Sequence, residues 1–567
     1  MKITTSTIAF AFALLPVVLG AQVNSELLDI NAITTNVASD GNLDETRTTD
    51  SGKYLSFATQ LWLSAEDASS SLCVAAQSFR QAGVDFVPGP ISNNGNASII
   101  YDKVWKMNKT MVDSFSAGLF FGIVPPAIAN WPAHGDPTQG ESFYLAPFVD
   151  VNGNGYYNPL VDGDYPCIQG DQAIFFVFND DVIHTNTGGA SLGVEILGMA
   201  YAYSHESFLD SVQFVQYTIR PKKKALYNFY ASAFSDLDLG NGMDDLIGTF
   251  VDQNAVVVYN STNDDQGPFG FGLNPPSAGM VVLSGLPTSS ADGLDNDKDG
   301  CVDGVLDKNG NCQPINASTN IVESWRLSNL IYGNNTTDPY SGNPQTAIQF
   351  RNYMHGFWKN ADTLFVETPS GFMNNGNGDG IILNGGGIPA RYAYPGNSYD
   401  TAGAFFPTAP TNWFESPNNA SDKRVVAGLG NIDVLNVGDE AQIKLALFMA
   451  RDASTINSYD AAHAMAVKIN RYQETLPNCS GSALISVVEE DKLENLEIFP
   501  NPTQNWLSIS APNAKTKQGE IFSYDGRKVL EFKLDEHGSK ALDVSALRAG
   551  FYVLRIENQS MRFIVSR

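Results

Sequence analysis

Apolar positions recur in two rhythms along this 567-residue chain. Short runs at strand length recur at Tyr54–Trp62, Ala173–Phe178, Val194–Tyr203, Ser211–Ile219, Leu226–Phe234, Ala255–Tyr259, Gly279–Leu283 and Ala441–Ala450, parted by turn-rich segments. One stretch shifts to helical spacing: Ala462, Met465, Ala466, Ile469 and Tyr472 predict a helix over Ser458–Leu476. No internal repeat of fixed period appears, so a propeller or solenoid is not supported. The expectation is a mainly β chain whose body, residues 22–480, forms a β-sandwich-like structure, with two lobes meeting at about 285–320.

The last 75 or so residues alternate apolar and polar positions at strand period, through Leu507 and Ile509, Val529 and Phe532, Tyr552, Leu554 and Ile556, and Phe563 and Val565. Turn signals such as Asp525-Gly526 and Ala549-Gly550 divide them. This pattern predicts a small immunoglobulin-like sandwich of about seven strands over 496–567, joined to the body by a linker at 481–495. At the other end, Lys2 precedes an apolar run from Ile8 to Leu19, closed by Gly20 and Ala21. A charged start, a short apolar core and a small-residue end predict a secretory signal peptide over 1–21. The run falls short of the ~18–20 residues a membrane span needs. No later segment is long and apolar enough to span, so the mature chain is expected to carry no transmembrane segment.

Three ordered motifs make the C-terminal segment resemble the type A C-terminal sorting domain of the type IX secretion system. They are Phe499-Pro500-Asn501-Pro502, Tyr524-Asp525-Gly526-Arg527 and Leu547-Arg548-Ala549-Gly550-Phe551-Tyr552. The resemblance implies a Gram-negative bacterium of the Bacteroidetes group. It implies export across the inner membrane by the signal peptide and across the outer membrane by this domain, so that the type IX machinery is a partner. Family members are commonly cleaved at or before the domain, and the cargo is released or attached to surface lipopolysaccharide. An ordinary carbohydrate-binding or adhesion sandwich is the alternative for this segment. The body resembles, from about 54 to 480, a recurrent set of large Bacteroidetes cargo proteins with the same ending. Phrases such as NWPAHGD, YLAPFVDVNGNGYYNPLVDGDYP and GDQAIFFVFND carry that likeness, which implies no activity.

Composition then narrows the chemistry. The net charge is −27, while 490–567 holds 11 basic and 11 acidic residues, so the excess sits on the body. So acidic a surface argues against nucleic acid, which needs Lys and Arg to displace counterions from phosphates. It argues against anionic lipid surfaces as well, and favours divalent cations. Five cysteines suit an exported chain with occasional disulfides, and Cys301 with Cys312 is the expected pair. The odd count leaves at least one thiol over.

Within ADGLDNDKDGCVDGVLDKNGNC, residues 291–312, carboxylates stand at Asp295, Asp297, Asp299 and Asp303, which are positions 1, 3, 5 and 9 of a tight loop. Gly300 allows the turn at position 6 and Cys301 offers a backbone carbonyl at position 7. Position 12 is Leu306 where a bidentate Glu would stand in an EF-hand, and Asp307 is a substitute. Calcium is the expected ion, structural in role, against a solvated acidic turn. Asp150, Asn152, Asn154, Gly155 and Tyr156 repeat the spacing with fewer charges, with Asp162 and Asp164 just beyond. The cluster SDLDLGNGMDD, with Asp236, Asp238, Asp244 and Asp245, lacks the loop grammar and reads as a solvated turn.

Catalytic patterns are thin. Gly189-Ala190-Ser191-Leu192-Gly193 fits the nucleophile elbow by letters but lacks the strand before and helix after. The histidines show no H-E-x-x-H or close pairing. Trp105, Trp131, Trp358 and Trp413 are candidate sugar platforms, with core packing the commoner fate. Two functions remain: a calcium-stabilised exported scaffold that binds a glycan, a matrix component or further copies of itself, or a secreted polysaccharide hydrolase using paired carboxylates.

Overall fold

The computed structural model describes residues 23–566 apart from 79–82, 205–206, 289–291, 307–309, 316–322, 367–387, 402–406, 453–457, 473–496 and the short stretches 513, 515–516, 524–527, 549 and 557–558. The signal-peptide and linker expectations, and the Tyr524–Arg527 motif with Asp525 and Gly526, lie outside them. The protein is mainly β and divides into two compact units, Met1–Leu484 and Ile485–Arg567.

The first unit is built on two large antiparallel sheets. A nine-stranded sheet runs, in order, Asp245–Phe250, Ala255–Asn260, Ser277–Ser284, Ala441–Ala450, Val212–Pro221, Val194–Ala202 and Gln172–Asn179, with the short strands Val87–Pro88 and Trp105–Asn108 both paired to the last. Its central strands are apolar at nearly every position because both faces are covered. Phe176, Ile196, Tyr217 and Leu445 point into the core shared with the second sheet. Phe175, Met199, Phe214 and Phe448 point the other way, against the helix Tyr459–Arg471 and the segment around Ile128 and Trp131. Ala462, Ala466 and Ile469 are the buried stripe of that helix, one turn apart.

The eight-stranded sheet includes Tyr54–Glu66 at its centre, flanked by Leu226–Leu237, which pairs in turn with Lys423–Leu435. Trp62 stacks on Phe234 at 4.8 Å and meets Phe350 edge-on at 4.9 Å, seating the short helix Ala347–Met354 on this sheet's outer face. Strands from both sides of 285–320 pair within both sheets, so the body does not divide there. Trp131, Trp358 and Trp413 are buried in the packing. Gly189–Gly193 runs into the strand Val194–Ala202 without any helix, and the backbone N–H of Leu192 donates to Asp180, so it forms no nucleophile elbow.

The second unit pairs a three-stranded sheet (Glu497–Phe499, Trp506–Ser510, Ser539–Asp543) with a four-stranded one (Gln518–Ser523, Lys528–Lys533, Gly550–Ile556, Gln559–Val565). Leu507, Ile521, Leu554 and Phe563 are fully buried between them. The opening motif clasps the last strand. Asn501 Oδ1 accepts the Ile564 N–H at 2.9 Å, and Thr503 exchanges backbone bonds with Ile564 and Ser566. Pro500 and Pro502 flank that asparagine. Tyr552 follows Gly550, the first residue of its strand, stacks on Phe563 at 5.6 Å and donates its hydroxyl to the Arg548 carbonyl at 2.9 Å.

Candidate metal centres

The two loops singled out by spacing fold alike. In the first, the Asp299 and Gly300 N–H groups donate to Asp295 at 3.1 and 2.8 Å, Asp299 N–H also reaches Asp297 at 3.0 Å, and Cys301 N–H reaches Asp299 at 2.8 Å. In the second, Asn154 and Gly155 N–H donate to Asp150 at 3.2 and 2.6 Å, Asn154 N–H to Asn152 at 3.0 Å, and Tyr156 N–H to Asn154 at 2.8 Å. The same four bonds join the same loop positions, and the sixth position is a glycine at positive φ in both, Gly300 at 98° and Gly155 at 80°. Only glycine takes that conformation at no steric cost.

Their carboxylate content differs. Asp295, Asp297 and Asp299 bring oxygens within 4.8 Å of one another, with Asp295 buried. Asp297 is pushed up to about 8 by burial and then by the charges of Asp299, Glu323 and Asp295. Asp303 does not join them; its Oδ1 accepts the Gly293 N–H at 2.9 Å and braces the loop's entry. In the second loop, Asp162 accepts the Asn154 side-chain amide at 3.1 Å. The fully buried Asp164 takes the Val151 and Asn158 N–H groups at 2.8 Å each, so both carboxylates hold the loop. Burial raises its carboxyl pKa, as do the neighbouring charges of Asp150 and Asp162, against those two hydrogen bonds. Asp307 lies outside the described residues.

One acid escaped the sequence reading. Glu323 is fully buried and accepts the Asn296 and Asp297 N–H groups through Oε1, the latter at 3.0 Å. Its other oxygen has no partner among the described residues. Burial, then the charges of Asp295 and Asp292, push it up to about 7. Nothing local marks Glu323 in the sequence, because it reaches the loop from another strand, Glu323–Ser324.

Cys301 and Cys312 form a disulfide with Cα atoms 5.2 Å apart, joining the loop to the hairpin of Gly304–Leu306 and Cys312–Pro314. Cys167 is disulfide-bonded too, and Cys73 is a buried free thiol. Replacing both Cys301 and Cys312 by Ser should cost about 2–3 kcal/mol, because it frees the unfolded loop. A lower melting temperature in the double variant reads that loss.

The SDLDLGNGMDD segment corrects the expectation of a solvated turn: Asp236, Asp238 and Asp245 are buried. They sit where two β-strands end and begin, so the sheets, not the turn, decide their exposure.

Two surface clefts carry histidines beside aromatic rings. One, of about 410 Å³, is lined by Phe250, Phe414, Tyr459, Asp252 and His463 among others. His463 Nε2 lies 3.1 Å from Asp252. Burial opposes ionisation of Asp252, but its bonds to His463 and Gln253 outweigh it and leave the carboxyl below its usual range. The other, about 380 Å³, is lined by Tyr230, His355, Phe357 and Arg391 among others. His355 stacks on Tyr230 at 4.1 Å and is pushed down to about 4, by burial and then by Arg351. Its folded pKa lies below the unfolded value, so its contribution is intact above pH 6.5 and is lost as pH falls toward 4. Acidification over that window should cost about 3 kcal/mol through this group alone. His355→Gln should flatten that part of a stability–pH curve measured by urea titration.

Residues 497–566 match the family described as the secretion system C-terminal sorting domain. The chain thus carries the sorting domain of type IX secretion cargo, which supports export to the cell surface or beyond. No curated protein matches the chain. Among solved structures, a polysaccharide lyase aligns at 10% identity and TM-score 0.18, covering 74% of this chain and 39% of its own. A Pichia pastoris lysyl oxidase aligns at 11% identity and TM-score 0.21, covering 76% and 52% respectively. The chain spans about two fifths to half the length of these structures, and at such scores they carry no argument about fold or activity. No helix among the described residues is long and apolar enough to cross a membrane.

Proposed function

We propose that the body is a calcium-ordered β scaffold that binds a glycan or matrix polymer outside the cell of a Bacteroidetes bacterium. A signal peptide at 1–21 carries it to the periplasm and the sorting domain carries it onward, to release or to attachment on surface lipopolysaccharide. The observation that supports the ion is the common bonding of the Asp150 and Asp295 loops, which in the Asp295 loop brings three carboxylates together where they repel one another without a cation. Extracellular calcium fills weak oxygen sites of this kind.

For the ligand, the cleft of Phe414 and Tyr459 offers aromatic faces beside charged groups, the pairing that sugar rings use. The hydrolase reading needs a protonated carboxyl facing a carboxylate across an open groove. In this cleft Asp252 is held ionised by His463, which favours binding over acid catalysis. A screen of the isolated body against glycans and surface polymers, with and without calcium, tests the reading. Phe414→Ala should weaken the ligand found there about tenfold, roughly 1.4 kcal/mol. Unchanged affinity in that variant removes the cleft from the account.

A further inference from the structure

The aspartates of the SDLDLGNGMDD segment meet a partner from far along the chain. Asp236 pairs with Arg424 and Leu237 with Lys423 across an antiparallel ladder, so one step further Asp238 stands opposite Asp422. Alternate residues on a strand share a face, which puts Asp236, Asp238, Asp422 and Arg424 on one side. Carboxylate oxygens of the three aspartates lie within 4.8 Å of one another.

Part of this charge is met within the protein, where Asn335 Nδ2 donates to Asp422 Oδ2 at 3.1 Å. Arg424 Nε lies 3.2 Å from Asp236, but another of its nitrogens is turned to the side-chain oxygens of Asn335 and Asn343, at 3.0 and 2.6 Å. Asp238 is 8% exposed, and its Oδ1 is buried and accepts nothing from any described residue. A buried carboxylate oxygen left unpaired is among the costliest arrangements in a folded protein. The same holds of Asp422 Oδ1 and of one buried oxygen on each of Asp244, Asp245 and Asp265. A Cβ on Gly242 would overlap Asp238, and one on Gly240 would overlap Asp265, so the Gly240–Gly242 turn presses its bare backbone onto these carboxylates. Burial, then the charges of Asp236 and Asp422, push Asp238 up to about 8.

We propose that Asp236, Asp238 and Asp422 are ligands of a divalent cation. Three carboxylates against one guanidinium leave two negative charges, which a divalent ion balances. All donors are hard oxygens, with no His or Cys, so the ion is of the calcium class and not zinc or copper. The site ties the Leu226–Leu237 and Lys423–Leu435 strands, and it stands independently of the Asp295 loop.

Calcium titrated calorimetrically into the EGTA-stripped mature chain tests this, with Asp238→Asn, Asp422→Asn and Asp297→Asn beside the unaltered protein. Asp238→Asn and Asp422→Asn should each lose the same binding site and keep the one that Asp297→Asn removes. Asp238→Asn should melt no lower than the parent in EGTA, because it sheds a buried charge, while losing part of the parent's calcium-dependent rise. If Asp238→Asn does not fold, Asp422→Asn, at a partly exposed position, carries the test. Folded variants that retain the parent's full calcium count overturn the proposal, whatever Asp297→Asn does.

Discussion

A chain ending at residue 495 is expected to stay inside the cell envelope, with none of the body on the surface or in the medium. The segment removed is a unit with its own core, in which Leu507, Ile521, Leu554 and Phe563 are sealed between two sheets. It also matches the secretion system sorting domain over 497–566. Because Asn501 and Thr503 hold the final strand from the opening motif, removal of 559–567 alone should unclasp the unit and block export as fully. Immunoblots of cell, surface and medium fractions read the outcome. Body found outside the cell in either truncation would contradict the assignment.

Calcium removal is expected to have the second large effect. An ion that binds only the folded chain stabilises it by about 2.7 kcal/mol when its free concentration is a hundredfold above Kd. Excess chelator should therefore lower the melting temperature by several degrees or more, and added calcium should restore it. Magnesium should restore less, since it demands near-ideal octahedral geometry at short distances and dehydrates reluctantly. The loss should be smaller in Asp297→Asn, in which one charge that repels Asp295 and Asp299 is already gone. Differential scanning calorimetry with and without EGTA measures both.

What was legible in the sequence was local. Ala173–Phe178 is an apolar run bounded by polar residues, and the strand found there is Gln172–Asn179. The two loops were found because their ligand spacing and their glycine lie within seven residues, so a one-dimensional pattern encodes the whole turn. That the body forms one unit was not legible, because Leu226–Leu237 pairs with Lys423–Leu435 across nearly two hundred intervening residues. That pairing alone brings Asp238 to Asp422 and buries a segment that reads as a polar turn. Glu323 escaped for the same reason, being supplied to the Asp295 loop from a strand whose place no local signal fixes.

Native mass spectrometry of the exported protein, recovered from culture and exchanged into volatile buffer, tests the central claim most directly. The account predicts a mass above that of the bare chain by whole numbers of calcium ions, falling to the bare mass after EGTA and returning on recalcification. A chain that carries no calcium in either state, with an unchanged melting curve, would contradict it.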